Sequence, residues 1–214
     1  MVSRREALLA APGLALTGAI PASAQPQTPF TLGVASGEPT SGGMVLWTRL
    51  APEPLRPDGG LQAPVPVDWV IAEDEGLRRV VARGRETAVA DEAHSVHAEV
   101  SGLRPAHDYW YRFTAMGVAS PVGRTRTAPA TGAMPARMRI AVASCQQYEQ
   151  GYYGAHRRIA ASAPDLVLFL GDFIYEASWG RNLVRHHNTP TARTLADYRA
   201  RHALYRTDED LQAS

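Results

Sequence analysis

The chain contains no lysine and a single cysteine, and no apolar run beyond its first twenty-odd residues is long enough to cross a membrane. All 22 basic residues are therefore arginines, set against 21 acidic ones, and no run of the sequence gathers them. A polyanion-binding surface needs clustered positive charge, so nucleic-acid recognition has no electrostatic footprint. Arginine without lysine reads as a GC-rich coding bias. One cysteine, Cys145, excludes an internal disulfide framework.

What is present begins with an export pattern. Ser3-Arg4-Arg5 precedes an apolar stretch from Ala7 to Ile20, followed by Pro21 and the small-residue triplet Ala22-Ser23-Ala24. A charged start, a short apolar segment and an A-x-A-like site predict a cleaved signal over residues 1–24, with Gln25 opening the mature chain. The paired arginines resemble a twin-arginine signal, and an ordinary secretory signal or an uncleaved anchor is the alternative. Either cleaved signal implies a periplasmic or secreted protein. No cysteine follows the cleavage site, so a lipid anchor is not expected, and with the signal cleaved no stable membrane anchor is expected either. Removing 24 of 214 residues leaves about 190, enough for one large or two small domains.

Residues 28–129 hold short apolar and β-branched runs separated by Gly, Pro and Asp. Val65-Val67-Trp69-Ile71 and Tyr109-Tyr111-Phe113 alternate with period two, as half-buried strands do. Six or seven such runs predict an antiparallel β-sandwich with Trp47 and Trp69 in its core. "VSGLRPAHDYWYRF" resembles fibronectin type III domains, and a structural or docking role is expected. His94, His97 and His107 share no metal geometry and read as surface or packing residues.

After a small-residue linker, Ala130–Arg137, the pattern changes. "MRIAVAS" and "DLVLFLG" are apolar runs separated by the helical "YYGAHRRIAASAP", which predicts a βαβ unit of a parallel sheet over residues 138–214. Cys145 follows the first run and Asp172 the second. Parallel strands bring both to one carboxyl-terminal edge, where such sheets hold ligands. Tyr175, three residues beyond Asp172, can turn to the same point. A phenol with a pKa near 10 binds as phenolate only to a strongly Lewis-acidic ion, typically ferric iron. Taken alone, Cys145 reads better as a small buried hydrophobe; with Asp172 and Tyr175 at the matching edge, thiolate ligation is the better reading, and it explains an unpaired thiol in an oxidising compartment.

"GDFIYE" carries the Gly-Asp-x-x-Tyr pattern of the metallophosphoesterase superfamily. Together with "ASCQQYEQGYY", "FTLGVASGEP", "VLWTRLAP", "HSVHAEV" and "SPVGRTRTAP" it resembles the PhoD-type alkaline phosphatases. Glu38 stands where that family commonly has Asp. The resemblance implies a mixed fold, a fibronectin type III-like β-sandwich followed by the start of an α/β metallophosphoesterase domain. It implies Fe(III) held by Cys145 and Tyr175, Ca2+ sharing Asp172 with the iron, and hydrolysis of phosphomonoesters and phosphodiesters at alkaline pH. The implied partners are a phosphate ester and the twin-arginine export machinery, with a monomeric complete protein. Arg181, Arg185, His186 and His187, in the polar loop after the site, are candidates for phosphate contact.

Three donors do not complete a two- or three-metal site. The family's further Asp, Asn and His ligands come from a segment resembling "TWDDHE", which does not occur before Ser214. "TLADYRARHALYRT" predicts a helix capped by Thr194, and Thr207 is the expected cap of a second helix that ends after barely two turns. The expectation is the N-terminal part of a longer phosphatase, inactive by itself. Two other readings stay open. Purple acid phosphatases also join a sandwich to Gly-Asp-x-x-Tyr, but open their site with Asp-x-Gly where this chain has Ser144-Cys145-Gln146. A non-catalytic exported binding module is the other.

Overall fold

The computed structural model describes residues 28–214, so the expected signal over residues 1–24 lies outside the described residues. The first three paired strands are β1 (Val34–Gly37), β2 (Met44–Arg49) and β5 (Ser95–Val100), which form one antiparallel sheet in the order β1-β2-β5. The second sheet contains β3 (Val65–Ala72), β4 (Val80–Ala88) and β6 (Asp108–Ala115), with β3 in the middle. Two short strands, β7 (Val118–Ala119) and β8 (Gly123–Arg126), both pair with the free edge of β6. The two sheets face each other as an antiparallel sandwich, as the alternation predicts.

Period two explains the core. Leu46, Val96 and Ala98 from one sheet meet Val67, Trp69, Ile71, Tyr109, Tyr111 and Phe113 from the other, all buried. Trp69 lies flat under Gly84 of β4, where a Cβ would stand 2.4 Å from its ring. Only glycine lets that ring and that strand approach so closely.

Trp47 departs from the expectation. Its neighbour Leu46 is fully buried in the sandwich. One residue along a strand reverses the direction of the side chain, so Trp47 points to the outer face. There it packs beside Leu32, Ala51 and Ala203, outside the sandwich core. Of the histidines, His94 is buried, with Nε2 3.1 Å from the Ala63 carbonyl.

Residues 131–140 run exposed along the surface. Beyond them β9 (Ile140–Ala143) and β10 (Leu166–Phe169) pair in parallel, with α1 (Gly154–Ser162) as the crossover. The predicted strand–helix–strand unit is present. Helix α2 (Leu195–Arg206) opens with the expected cap: the Thr194 hydroxyl accepts from Asp197 N–H and the Asp197 carboxylate accepts from Thr194 N–H. Such a reciprocal box satisfies two otherwise orphaned donors.

Helix α3 (Glu209–Gln212) is capped one residue later than predicted. Asp208 accepts from the amides of Asp210 and Leu211, whereas Thr207 is the C-cap of α2 and donates its hydroxyl to the Leu204 carbonyl at 2.6 Å. A carboxylate is the stronger acceptor at a helix N-terminus.

Helix α2 lies against the outer face of β2 and joins the two units. Arg206, 7% exposed, donates from Nε and Nη2 to the Leu32 carbonyl at 3.2 and 3.0 Å. Arg49, 2% exposed, donates from Nη1 to the Arg199 carbonyl at 3.1 Å. His202 packs between Trp47 and Phe173, so the sandwich touches the segment that carries Asp172.

Candidate metal centre

The parallel ladder does not stop where β9 and β10 end. Cys145 N–H donates to the Gly171 carbonyl at 3.2 Å, and Gln146 N–H donates to the Asp172 carbonyl at 3.2 Å. These bonds zip the two strand-end loops together and set Cys145 beside Asp172. Both residues are left-handed, at φ 56° and 55° respectively. For residues with a Cβ this conformation costs about 1–2 kcal/mol each. Strain stored at two facing strand ends is a recognised mark of a working site.

Three side chains converge there. Cys145 Sγ lies 3.5 Å from Asp172 Oδ2, and the Tyr175 hydroxyl donates to the same oxygen at 2.9 Å. Partial burial, then the hydrogen bonds to Asp172 and Cys145, push the Tyr175 phenol above its usual range. A second anion beside Asp172 is unfavourable, so without a cation the phenol stays protonated and its proton bridges the two oxygens. Thiol, carboxylate and phenol around one point suit a strongly Lewis-acidic cation that would replace that proton. Among the described residues, no group of three or more His, Cys, Asp and Glu side chains forms a metal-binding cluster, and the tyrosine is the third side chain beside Cys145 and Asp172.

The shell behind the cluster is built largely by residues that carry no motif. Gln146 donates its amide to the Phe173 carbonyl at 2.8 Å, and its Oε1 lies 2.9 Å from His156 Nε2. One glutamine thus ties the loop after β9 to the loop after β10. Burial lowers the pKa of His156, which keeps it a neutral partner. Glu149, 2% exposed, receives Ser178 Oγ and Trp179 N–H on one oxygen, at 2.8 and 2.7 Å, and His187 N–H on the other at 3.0 Å. That buried carboxylate gathers the loop of residues 178–187. Arg201, fully buried, donates to the carbonyls of Tyr175, Glu176, Thr189 and Pro190. Position and type of these residues depend on long-range contacts, and the only local signal is the clustering of Gln146, Gln147 and Tyr148 beside Cys145.

The four candidates for phosphate contact divide. Arg181 and His186 stand exposed. Arg185 is turned inward: it donates to the Tyr148 carbonyl at 2.7 Å, pairs with Asp208 at 2.7 Å and lies 3.7 Å over the Tyr148 ring. His187 is also turned inward, with Nε2 3.1 Å from the Tyr205 hydroxyl. The guanidinium of Arg185 and the ring of His187 are thus occupied by packing partners.

Comparison with known proteins agrees with this architecture. Residues 15–129 match the family model described as PhoD-like phosphatase, N-terminal domain, and residues 140–214 match the one described as PhoD-like phosphatase. The chain is 51% identical over 193 residues to alkaline phosphatase D of Bacillus subtilis, a match that covers 87% of this chain and 33% of the relative. The chain therefore spans about a third of the length of that relative. A solved structure titled "Structure of PhoD" superposes with a TM-score of 0.84 at 50% identity, covering 90% of this chain and 38% of that one. A human fibronectin type III domain aligns at a TM-score of only 0.33 with 16% identity over 48% of this chain, too weak a likeness to decide a fold. The two family models, the curated relative and the superposed structure agree, and the chain belongs to the PhoD-like phosphatase family.

Proposed function

We propose that this chain supplies metal-binding residues of an exported phosphoric ester hydrolase, acting on phosphomonoesters and phosphodiesters at alkaline pH. The observation that carries the reading is the meeting of Cys145, Asp172 and Tyr175 at the carboxyl edge of a parallel strand pair. Membership of a phosphatase family supports the reaction class. Cys145 and Tyr175 are the proposed ligands of Fe(III), and Asp172 is the proposed bridge to Ca2+. These metals supply Lewis acidity toward a phosphoryl oxygen and lower the pKa of an attacking water.

The chain's own residues have narrower tasks. Asp172 holds the Tyr175 proton until a cation takes its place. Gln146 keeps the two strand-end loops in register. Arg181 and His186 are the remaining candidates for phosphate contact, because they stand exposed while Arg185 and His187 are engaged with Asp208 and Tyr205. The sandwich, whose two facing antiparallel sheets support the fibronectin type III-like reading, braces α2 from outside. Signal cleavage before Gln25, twin-arginine export, a periplasmic or secreted location and a monomeric state complete the proposal.

The experiment is a titration of the purified chain with Fe(III), followed by visible absorption. A charge-transfer band that Tyr175→Phe abolishes and Cys145→Ser shifts is expected. A band identical in both variants, or none at any iron concentration, would falsify the ligand assignment. By itself this chain is expected to be inactive, and turnover of a chromogenic phosphate ester by it, lost on chelation, would overturn that expectation.

A further inference from the structure

A single helix grips both peptide groups of Tyr175. The Tyr175 N–H donates to the Tyr205 hydroxyl at 3.2 Å, and the Tyr175 carbonyl accepts from Arg201 Nη1 at 2.7 Å. Arg201 and Tyr205 are four residues apart on α2 and therefore share one face. Both side chains are fully buried. Nonpolar side chains would fill the same volume without a charge or a hydroxyl to satisfy, so their polarity calls for another reason.

The Tyr205 hydroxyl has four polar neighbours. They are the amides of Tyr148 and Tyr175 at 3.3 and 3.2 Å, Gln147 Oε1 at 3.2 Å and His187 Nε2 at 3.1 Å. A phenol accepts two hydrogen bonds and donates one. The two amides fill its acceptor capacity, so its proton goes to Gln147 or to His187. Gln147 Oε1 already accepts the Glu149 N–H at 3.2 Å.

His187 Nδ1 is buried without a hydrogen-bond partner, and Glu149 Oε1 stands 3.7 Å away, beyond hydrogen-bond length. A proton on Nδ1 points the N–H dipole at that carboxylate, while a proton on Nε2 turns a lone pair toward it. The first tautomer is favoured, and it leaves Nε2 free to accept from Tyr205. Burial lowers the pKa of His187, which agrees with a neutral ring.

We infer that Arg201 and Tyr205, the latter backed by His187 and Glu149, are positioning residues that fix the Tyr175 backbone so that its phenol meets Asp172. None of the four hydrogen-bonds to the side chain of Cys145, Asp172 or Tyr175. The inference rests on the proposed role of Tyr175 as a ligand. The loop after β9 (through Tyr148 N–H) and the loop after β10 (through Tyr175 N–H) meet on one hydroxyl, so one residue sets the spacing between the two ligand-bearing segments.

The test is Tyr205→Phe in the full chain, with two readouts. Amide hydrogen exchange at Tyr175 and Tyr148 should accelerate about tenfold, the loss of one buried hydrogen bond, while Ile71 in the sandwich keeps its protection. The ferric charge-transfer band should move or weaken, which a purely volume-filling tyrosine would not cause. His187→Gln, which retains a polar atom near Nε2, should keep most of the Tyr175 protection, and His187→Leu should lose it. Unchanged Tyr175 protection in folded Tyr205→Phe overturns the inference. If that variant does not fold, equal protection in the two His187 variants overturns it instead. Failure of the metal reading shows separately, as a wild-type chain that has the protection but develops no ferric band.

Discussion

The Tyr175 hydroxyl donates its proton to Asp172 Oδ2 at 2.9 Å, and the same oxygen has Cys145 Sγ at 3.5 Å. One carboxylate oxygen is thus the point on which two acidic protons converge. Without a cation, this arrangement keeps the phenol neutral; under the proposed metal reading, a bound cation would turn all three groups into anionic donors.

Cation binding should therefore shield the cysteine. Cys145 is exposed and should alkylate readily in the metal-free chain. Gallium(III), a redox-inert stand-in for ferric iron, should slow iodoacetamide labelling at least about tenfold if the thiolate is bound. Tyr175→Phe should reduce that protection, and Asp172→Asn should remove it. Labelling rates that ignore gallium in the parent chain contradict thiolate ligation.

Arg206 should matter for stability although it lies outside the site. Burial is the main cause that takes its pKa down to about 10, so it remains charged at neutral pH. Arg206→Met removes the donors to the Leu32 carbonyl and should destabilise the chain by about 1–3 kcal/mol. Arg206→Lys should not restore the loss, because an ammonium cannot reproduce the forked geometry. Urea denaturation of the three proteins checks this, and a Met variant as stable as the parent contradicts it.

Acid should loosen the packing under α2. Burial, then the charges of Arg206 and Arg49, pull His202 down to about 4. The unfolded chain takes up that proton near pH 6.5, and the folded chain resists it until about 4. The contribution of a neutral His202 is thus complete above pH 6.5 and is lost as pH falls through that window. The loss amounts to about 1–3 kcal/mol after allowance for partial solvent access. Stability measured from pH 7 to 4 should fall less steeply in His202→Phe; parallel curves for the two proteins refute the assignment.

Gly84→Ala should strain the sandwich. Its Cβ would stand 2.4 Å from Cζ2 and 2.5 Å from Cε2 of Trp69. Overpacking of this kind costs about 1–3 kcal/mol. The urea midpoint should drop and Trp69 fluorescence should shift. A midpoint within error of the parent shows that the ring moves without penalty.

Much of the architecture was legible because it is local. Alternation in β3 and β6, the strand–helix–strand pattern around Cys145 and Asp172, and the Thr194 cap are set by neighbours two to four residues apart. Local rules also explain the misses. Trp47 lies in a strand as expected, but which face of β2 turns inward is decided by its pairing between β1 and β5 and by the second sheet that covers Leu46. Thr207 and Asp208 are both acceptable caps by type, and the use of Thr207 as the C-cap of α2 decided between them.

The sequence by itself determined the chemistry of the donors: one thiol, one carboxylate and one phenol at the ends of two apolar runs. Parallel pairing of those runs then requires Cys145 and Asp172 to share an edge. Only the tertiary structure decided which residues hold them there. Tyr205 is 30 residues from Tyr175, and Arg201 is 26. Arg185 and His187 were indistinguishable from Arg181 and His186 until the loop folded over Glu149. A buried charge or hydroxyl is tolerated only where distant backbone groups supply its partners, and no local pattern records where those partners will be.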